Sequence, residues 1–316
     1  MNNQDYLILD GATGTEISRM GGKIDNVSWS AIANITHPNL VRSIHEKYLK
    51  IGVDVITTNT FSSCRHVLEG SNLGNQTKKI NQTAVRLAKE ACYNVAPSKN
   101  ILIAGSMSNT LAWKKGKAYP DPSYIPDIQT ETNNYREMAY ILADSGIDIF
   151  ILEMMLDTEH SCRLLEVVKE IGLPVWVGLS CSEKINGEIV GYDLSIEREE
   201  GIDQDYLKPI NETLEKIFKA LKNFDPDVLG IMHSNIKVTY KVVEYLSNHW
   251  SNQIMAYPEI IYYDYSKHEY NSLVSPSKFA HICKDWLDMG VDIIGGCCGT
   301  TPNHINELIK LINLHD

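Results

Sequence analysis

One phrase recurs along this chain. Gly52-Val-Asp-Val-Ile56, Gly146-Ile-Asp-Ile-Phe150 and Gly290-Val-Asp-Ile-Ile294 each stand between an amphipathic stretch and an apolar run. Glycine commonly ends a helix because it enters the left-handed region without a Cβ clash. The short Val/Ile-rich run after it has the composition of a strand buried on both faces. Helix, Gly-x-Asp, strand is thus the unit of a repeated α/β fold. Strand patterns fall near 6–10, 53–58, 101–105, 148–153, 174–180, 228–232, 253–257 and 291–296. Helical periodicity occupies 38–51, 76–95, 131–145, 158–171, 205–222, 236–249, 276–289 and 302–314. Thr36 with Pro38, Ser275 with Pro276 and Thr301 with Pro302 supply capping signals at helix starts. Strict alternation predicts a parallel sheet, and eight repeats predict a (β/α)8 TIM barrel, α/β in class and a single domain over 1–316. An open doubly wound sheet would carry a glycine-rich phosphate loop after an early strand, and Gly11-Ala-Thr-Gly14 is too short for one.

Charge and cysteine usage narrow the partners. The chain has 29 Lys and Arg against 40 Asp and Glu, a formal net charge of −11. Such a surface repels phosphate backbones, so no nucleic-acid partner is expected. The amino terminus lacks the basic region of a signal peptide, and the run 147–156 is broken by Asp148 and Glu153. No stretch reaches the roughly 20 apolar residues of a membrane-spanning helix. Seven cysteines, scattered except for the adjacent Cys297 and Cys298, suit a reducing cytoplasm rather than a disulfide framework. Monomer and small homo-oligomer both remain open.

Chemistry in a barrel of this kind sits at the carboxyl ends of the strands. The strand ends here deliver Asp10, Asn59, Ser106, Glu153, Cys181, His233, Glu259 and the Cys297-Cys298 pair to one rim. The sharpest element is Gly295-Gly-Cys-Cys-Gly-Thr300, where flanking glycines let the backbone turn both thiols toward one point. Zinc favours Cys and His in tetrahedral geometry, and a catalytic site keeps three protein ligands and one open position. A third ligand must come from another strand end, and His233, after Val228-Leu-Gly-Ile-Met232, is the best placed, with Cys181 in reserve. Cys64, Cys92, Cys162 and Cys283 are read as packing residues, and His66, His160 and His304 as surface or capping residues.

These motifs resemble the homocysteine S-methyltransferase family. The resemblance runs from Leu9-Asp-Gly-Ala-Thr-Gly-Thr-Glu16 through Thr57-Thr-Asn-Thr-Phe61 and Glu153 to Gly296-Cys-Cys-Gly-Thr300. It implies an eight-stranded α/β barrel, Zn2+ as cofactor, and methyl transfer from a sulfonium or quaternary ammonium donor to homocysteine, giving methionine. Bound at the open zinc position, the acceptor thiol would lose its proton and become a nucleophile. The resemblance also puts Asp10 and Glu153 at the positions that hold the amino acid's ammonium group. Gly11 lies beside Asp10 in the same motif, and Asn59 becomes a loop or substrate orienter.

Two departures stand out. The family's first zinc cysteine lies in a Gly-x-Asn-Cys segment, where this chain has Gly230-Ile-Met-His233. A His233/Cys297/Cys298 centre is formally neutral, where three thiolates would give −1. The family's Tyr-Pro-Asn-x-Gly-Glu is here Tyr257-Pro-Glu-Ile-Ile-Tyr262, followed by Tyr263, Tyr265 and Tyr270. Tyr262 and Tyr263 are candidate faces for a methylated cation, with a Tyr-rich surface loop or subunit contact as the alternative. Trp29 and Trp113, in long loops, are further candidate donor contacts. The altered segments leave open a different thiol acceptor or donor, or a non-catalytic relative that binds metal or amino acid.

Overall fold

The computed structural model describes residues 6–25, 27–115, 120–192, 211–264 and 269–314, without the side chains of 262–272. In chain order the strands are β1 Leu7–Ile8, β2 Val55–Thr57, β3 Leu102–Ser108, β4 Ile149–Met155, β5 Val175–Leu179, β6 Cys181–Glu183, β7 Ile189–Gly191, β8 Val228–Met232, β9 Gln253–Tyr257, β10 Ile261–Asp264, β11 Glu269–Ser272 and β12 Ile293–Ile294. Eight of them form one parallel sheet in the order β1-β12-β9-β8-β5-β4-β3-β2. A parallel bridge between Leu9 and Val55 closes it, and the Asp10 N–H donates to the Val55 carbonyl at 3.1 Å. The predicted barrel is the observed one.

Side chains alternate along each strand with a period of two, as the pleat requires. Leu9, Val55, Ala104, Ile149, Ile151, Trp176, Met255 and Ile293 fill the barrel interior. Ile56, Ile103, Phe150, Leu152, Val177, Leu229, Ile231 and Ile294 point outward into a second apolar layer shared with the helices. Because both faces are covered, the strands read as continuous apolar runs in the sequence.

The helices that cover the sheet are Pro38–Ile51, Thr77–Val95, Ile128–Ser145, Thr158–Lys169, Leu214–Lys222, Ile236–His249, Pro276–Asp288 and Pro302–Asn313. Gly52 and Gly146 end theirs at φ 103° and 82°, as the repeated phrase predicts. Ser275 caps Lys278, and Thr301 forms a reciprocal capping box with His304. The cap at the first long helix differs from expectation. His37, not Thr36, is the residue before Pro38, because Thr36 already closes the short helix Ala33–Thr36. Part of the predicted helix 205–222 lies outside the described residues.

The aspartate of the repeated phrase has its own role. Asp54, Asp148 and Asp292 stand just before β2, β4 and β12, and Asp227 does the same before β8. Each carboxylate accepts a backbone N–H of the preceding barrel strand: Ile8 at 2.9 Å, Ile103 at 2.7 Å, Ile254 at 2.8 Å and Val175 at 2.7 Å. The backbone N–H of the same four aspartates donates to the carbonyl of that same residue. Strand starts that would otherwise leave buried donors unpaired are thereby satisfied at the end opposite the rim.

Candidate metal centre and amino-acid pocket

The rim is assembled from strand ends that leave regular geometry. At the end of β12 the chain turns through Gly295-Gly-Cys-Cys-Gly, and Gly299 adopts φ 83° with the Ile260 carbonyl 2.8 Å from where a Cβ would sit. Only glycine fits there. The cysteine backbone is clasped to the segment after β9: Cys297 N–H donates to the Pro258 carbonyl and Ile260 N–H to the Cys298 carbonyl, both at 2.9 Å. His233 follows β8 at φ 40°, a left-handed conformation costly for a residue with a side chain.

These turns bring His233, Cys297 and Cys298 together, with one ligand atom from each lying within 4.8 Å of the others. Cys297 Sγ is 3.7 Å from His233 Nδ1 and 3.9 Å from Cys298 Sγ. Zinc–sulfur and zinc–nitrogen distances near 2.3 and 2.05 Å give tetrahedral edges of about 3.6 Å for N···S and about 3.8 Å for S···S. The two separations through Cys297 match the corresponding edges, and the third, from His233 to Cys298, lies within 4.8 Å. Cys181, the reserve candidate, is buried outside this group, its backbone N–H bonded to Ser234 Oγ and its thiol pushed by burial up to about 12.

The electrostatics keep protons on both kinds of donor at this site. Burial lowers the His233 pKa, but Glu259 and the Cys297 thiol outweigh it and hold it up at about 10. The Cys298 thiol, together with burial, pushes Cys297 well above the ordinary thiol range. A metal that binds here must displace those protons, which makes its affinity depend on pH.

Asp10 and Glu153 share the rim. Asp10 is buried and accepts the Thr57 N–H at 2.9 Å. Burial raises its pKa to about 8 against that hydrogen bond, and the Glu153 charge adds to the rise. Glu153 is aimed by a bulge: the β4–β5 register shifts between Leu152 and Met155, with Met154 at φ 56°. Its carboxylate accepts the Ser106 hydroxyl, and burial raises its pKa despite that bond. Tyr257 lies between the two halves of the site. Its hydroxyl is fully buried, makes no hydrogen bond of full geometry, and feels the charges of Glu153, Cys297 and Asp10. It also lies 2.7 Å from where a Cβ on Gly178 would be, so that glycine makes its room.

The remaining candidates divide. Gly11 is packed tightly, since a Cβ there would meet the Tyr48 hydroxyl at 2.7 Å and Thr300 Oγ1 at 3.0 Å. The Asn59 amide is fully committed: Oδ1 accepts from Ser30, and Nδ2 donates to the Ser30 carbonyl and Asn34 Oδ1. It braces the loop that carries Trp29. Tyr262 is in β10 opposite Asn271 in an antiparallel ribbon, and its side chain lies outside the described residues, as do those of Tyr263 and Tyr270 and the whole of Tyr265. His66 is buried, not at the surface, with Nε2 beside the Thr110 carbonyl at 3.3 Å. Sequence reasoning passed over Tyr257 and Tyr192, whose ring packs on His233 with centroids 5.3 Å apart. For Tyr257 the signal was parity: Met255 faces inward, so the residue two positions later does too.

With this geometry in view, comparison with known proteins is decisive. The sequence profile of the family described as Homocysteine S-methyltransferase matches residues 7–312. The chain belongs to the homocysteine S-methyltransferase family. By that membership it is an enzyme of the methyltransferase class whose acceptor is homocysteine. Similar members of known name include Homocysteine S-methyltransferase 1 of Zea mays, 25% identical over 96% of this chain and 94% of that one. The Selenocysteine methyltransferase of Astragalus bisulcatus is 26% identical over 97% of this chain and 92% of its own. Among solved structures, the metallated homocysteine methyltransferase MmuM of Escherichia coli superposes with a TM-score of 0.73. It is 20% identical and covers 98% of this chain and 97% of the other. This family fold is the closed barrel described above, and among the described residues no helix is long and apolar enough to cross a membrane.

Proposed function

We propose that this homocysteine S-methyltransferase takes its methyl group from a sulfonium or quaternary ammonium donor and works with Zn2+ held by His233, Cys297 and Cys298. The observation that carries this reading is the donor spacing, 3.7 Å and 3.9 Å, which matches the edges of a zinc tetrahedron. A bound zinc ion would supply the Lewis acidity that lets the acceptor sulfur react as a thiolate at neutral pH. The chain's own groups do the rest. Asp10 and Glu153, in their anionic forms, grip the ammonium of homocysteine and fix the direction of its side chain. Gly11 keeps the wall beside Asp10 thin, and Asn59 orients the substrate indirectly, through the loop it braces. Tyr262 is kept as the candidate aromatic partner of the donor's cationic methyl, on the chemistry of its residue type. The carbon–sulfur or carbon–nitrogen bond of the donor breaks as the new carbon–sulfur bond forms. The donor leaves neutral, and the acceptor's proton leaves to solvent. The main contribution of the protein is in-line alignment of two small molecules. No nucleic acid or membrane takes part, and the enzyme works in the cytoplasm as a monomer or small homo-oligomer.

The test is metal analysis joined to a donor screen. Purified protein should hold close to one zinc per chain and form methionine from homocysteine with at least one cationic methyl donor. His233→Ala should lose most of the zinc and His233→Cys should regain part of it. Zinc occupancy indifferent to both changes would remove His233 from the centre, and methylation of selenocysteine in preference to homocysteine would move the acceptor.

A further inference from the structure

Tyr257 reaches across the barrel interior. It is the last residue of β9, stands in register with Met232 of β8, and belongs to the interior cluster with Trp176 and Met232, against which Cys297 packs. Its hydroxyl extends past β8 to β5, ending 2.7 Å from where a Cβ on Gly178 would be. The residue is only 3% exposed, and the hydroxyl has no hydrogen-bond partner among the described residues. The groups whose charges act on it are Glu153, Cys297 and Asp10, so it sits where the metal centre and the two carboxylates meet.

A buried polar atom without a partner costs free energy, and native proteins keep few of them. This one faces the carboxylates proposed to hold the ammonium of the amino acid. An ammonium group carries three N–H donors, and Asp10 and Glu153 provide for two of them. A tyrosine hydroxyl is a donor and an acceptor at the same atom. With its proton turned toward Glu153, which already accepts one such bond from Ser106, its oxygen is free to take the third N–H. We infer that Tyr257 is a further substrate-binding residue, its hydroxyl oxygen accepting from the ammonium of the amino acid while its O–H donates to Glu153. The inference rests on the amino-acid reading of Asp10 and Glu153 proposed above.

The experiment compares wild type with Y257F, which keeps the ring and removes only the hydroxyl. Binding of methionine and of methioninol is measured by calorimetry at pH 8, where Asp10 is charged in about half of the molecules. Methioninol has the ammonium and the thioether but no carboxylate. Y257F should bind methionine about 10- to 100-fold more weakly, the worth of a hydrogen bond to a charged group, and methioninol should suffer the same factor. The ligand-free variant should melt no lower than wild type, since the hydroxyl it lacks had no partner to lose, and its zinc content should be unchanged. A methionine affinity within about twofold of wild type would overturn the inference. So would a loss seen with methionine but not with methioninol, which would assign the hydroxyl to the carboxylate of the ligand. A variant that melts lower or does not fold would show that the fold itself uses the hydroxyl, and one that sheds zinc would place it at the metal; either result also overturns the inference. Wild-type protein that binds no methionine would defeat the amino-acid reading of Asp10 and Glu153 itself, an outcome distinct from all of these.

Discussion

Mild acid should weaken amino-acid binding well before the ligand's own charges change, because of Asp10. Its pKa is raised to about 8 by burial, so below that pH the carboxyl is mostly protonated and has no charge to offer an ammonium group. At pH 6, two units lower, ionising it costs about 2.7 kcal/mol, a hundredfold in affinity; at pH 8 the cost is about 0.4 kcal/mol, a factor of about two. The dissociation constant for methionine should therefore tighten by about 50-fold between pH 6 and pH 8. Methionine is the ligand of choice because its thioether has no proton to lose to a metal. Glu153, also raised by burial, adds in the same direction. Titration calorimetry at pH 7 in buffers of different ionisation heat should show release of close to one proton per ligand bound. Asp10→Asn should bind weakly and with a much flatter pH profile. A dissociation constant that changes less than about threefold over this range, or an Asp10→Asn protein that keeps the full slope, would refute the argument.

Other expectations follow from groups away from the acceptor. His45 is fully buried with neither ring nitrogen hydrogen-bonded, and burial lowers its pKa to about 4. The folded state resists a proton that the unfolded chain accepts, so stability is complete above about pH 6.5 and is lost as pH falls toward 4, by up to about 3 kcal/mol. Urea unfolding of wild type and His45→Leu at pH 7.5 and pH 5 should show the variant losing less; equal losses would count against this account. Asp292→Ala leaves the buried Ile254 N–H without its carboxylate partner and should cost roughly 1–3 kcal/mol in chemical denaturation while leaving turnover per folded molecule unchanged. Chelation of the purified enzyme at pH 7 should abolish methyl transfer, and added zinc should restore it; activity that persists in protein shown to be metal-free would exclude a metal role.

How much of this was legible in the chain depends on the range over which each signal acts. The barrel was legible because the helix-ending glycines Gly52 and Gly146, the Val/Ile-rich strand runs and the capped helix starts all act within a few residues of themselves. The His/Cys/Cys convergence was also legible, since a strand end in a closed parallel barrel has only one rim to occupy. What Asp54, Asp148, Asp227 and Asp292 do could not be read, because their partners lie on the preceding barrel strand, 38 to 52 residues away in sequence. The bulge that aims Glu153 left no mark either, since Met154 is not a residue that announces a positive φ. The ribbons β6–β7 and β10–β11 were missed for a different reason. They are short antiparallel insertions in loops of a parallel fold, where no periodicity has room to develop. Asn59 shows the limit of reading polarity alone: its amide is spent on Ser30 and Asn34, a pairing that only the tertiary structure reveals.

The clasp between Pro258–Ile260 and Cys297–Cys298 ties two jobs to one strip of main chain. The ribbon that begins at Ile261 cannot swing from its root without dragging the sulfurs along, so any flap-like opening has to bend farther out. A change in length or bulk farther along β10 and β11 should therefore leave the turn that carries Cys297 and Cys298 in register.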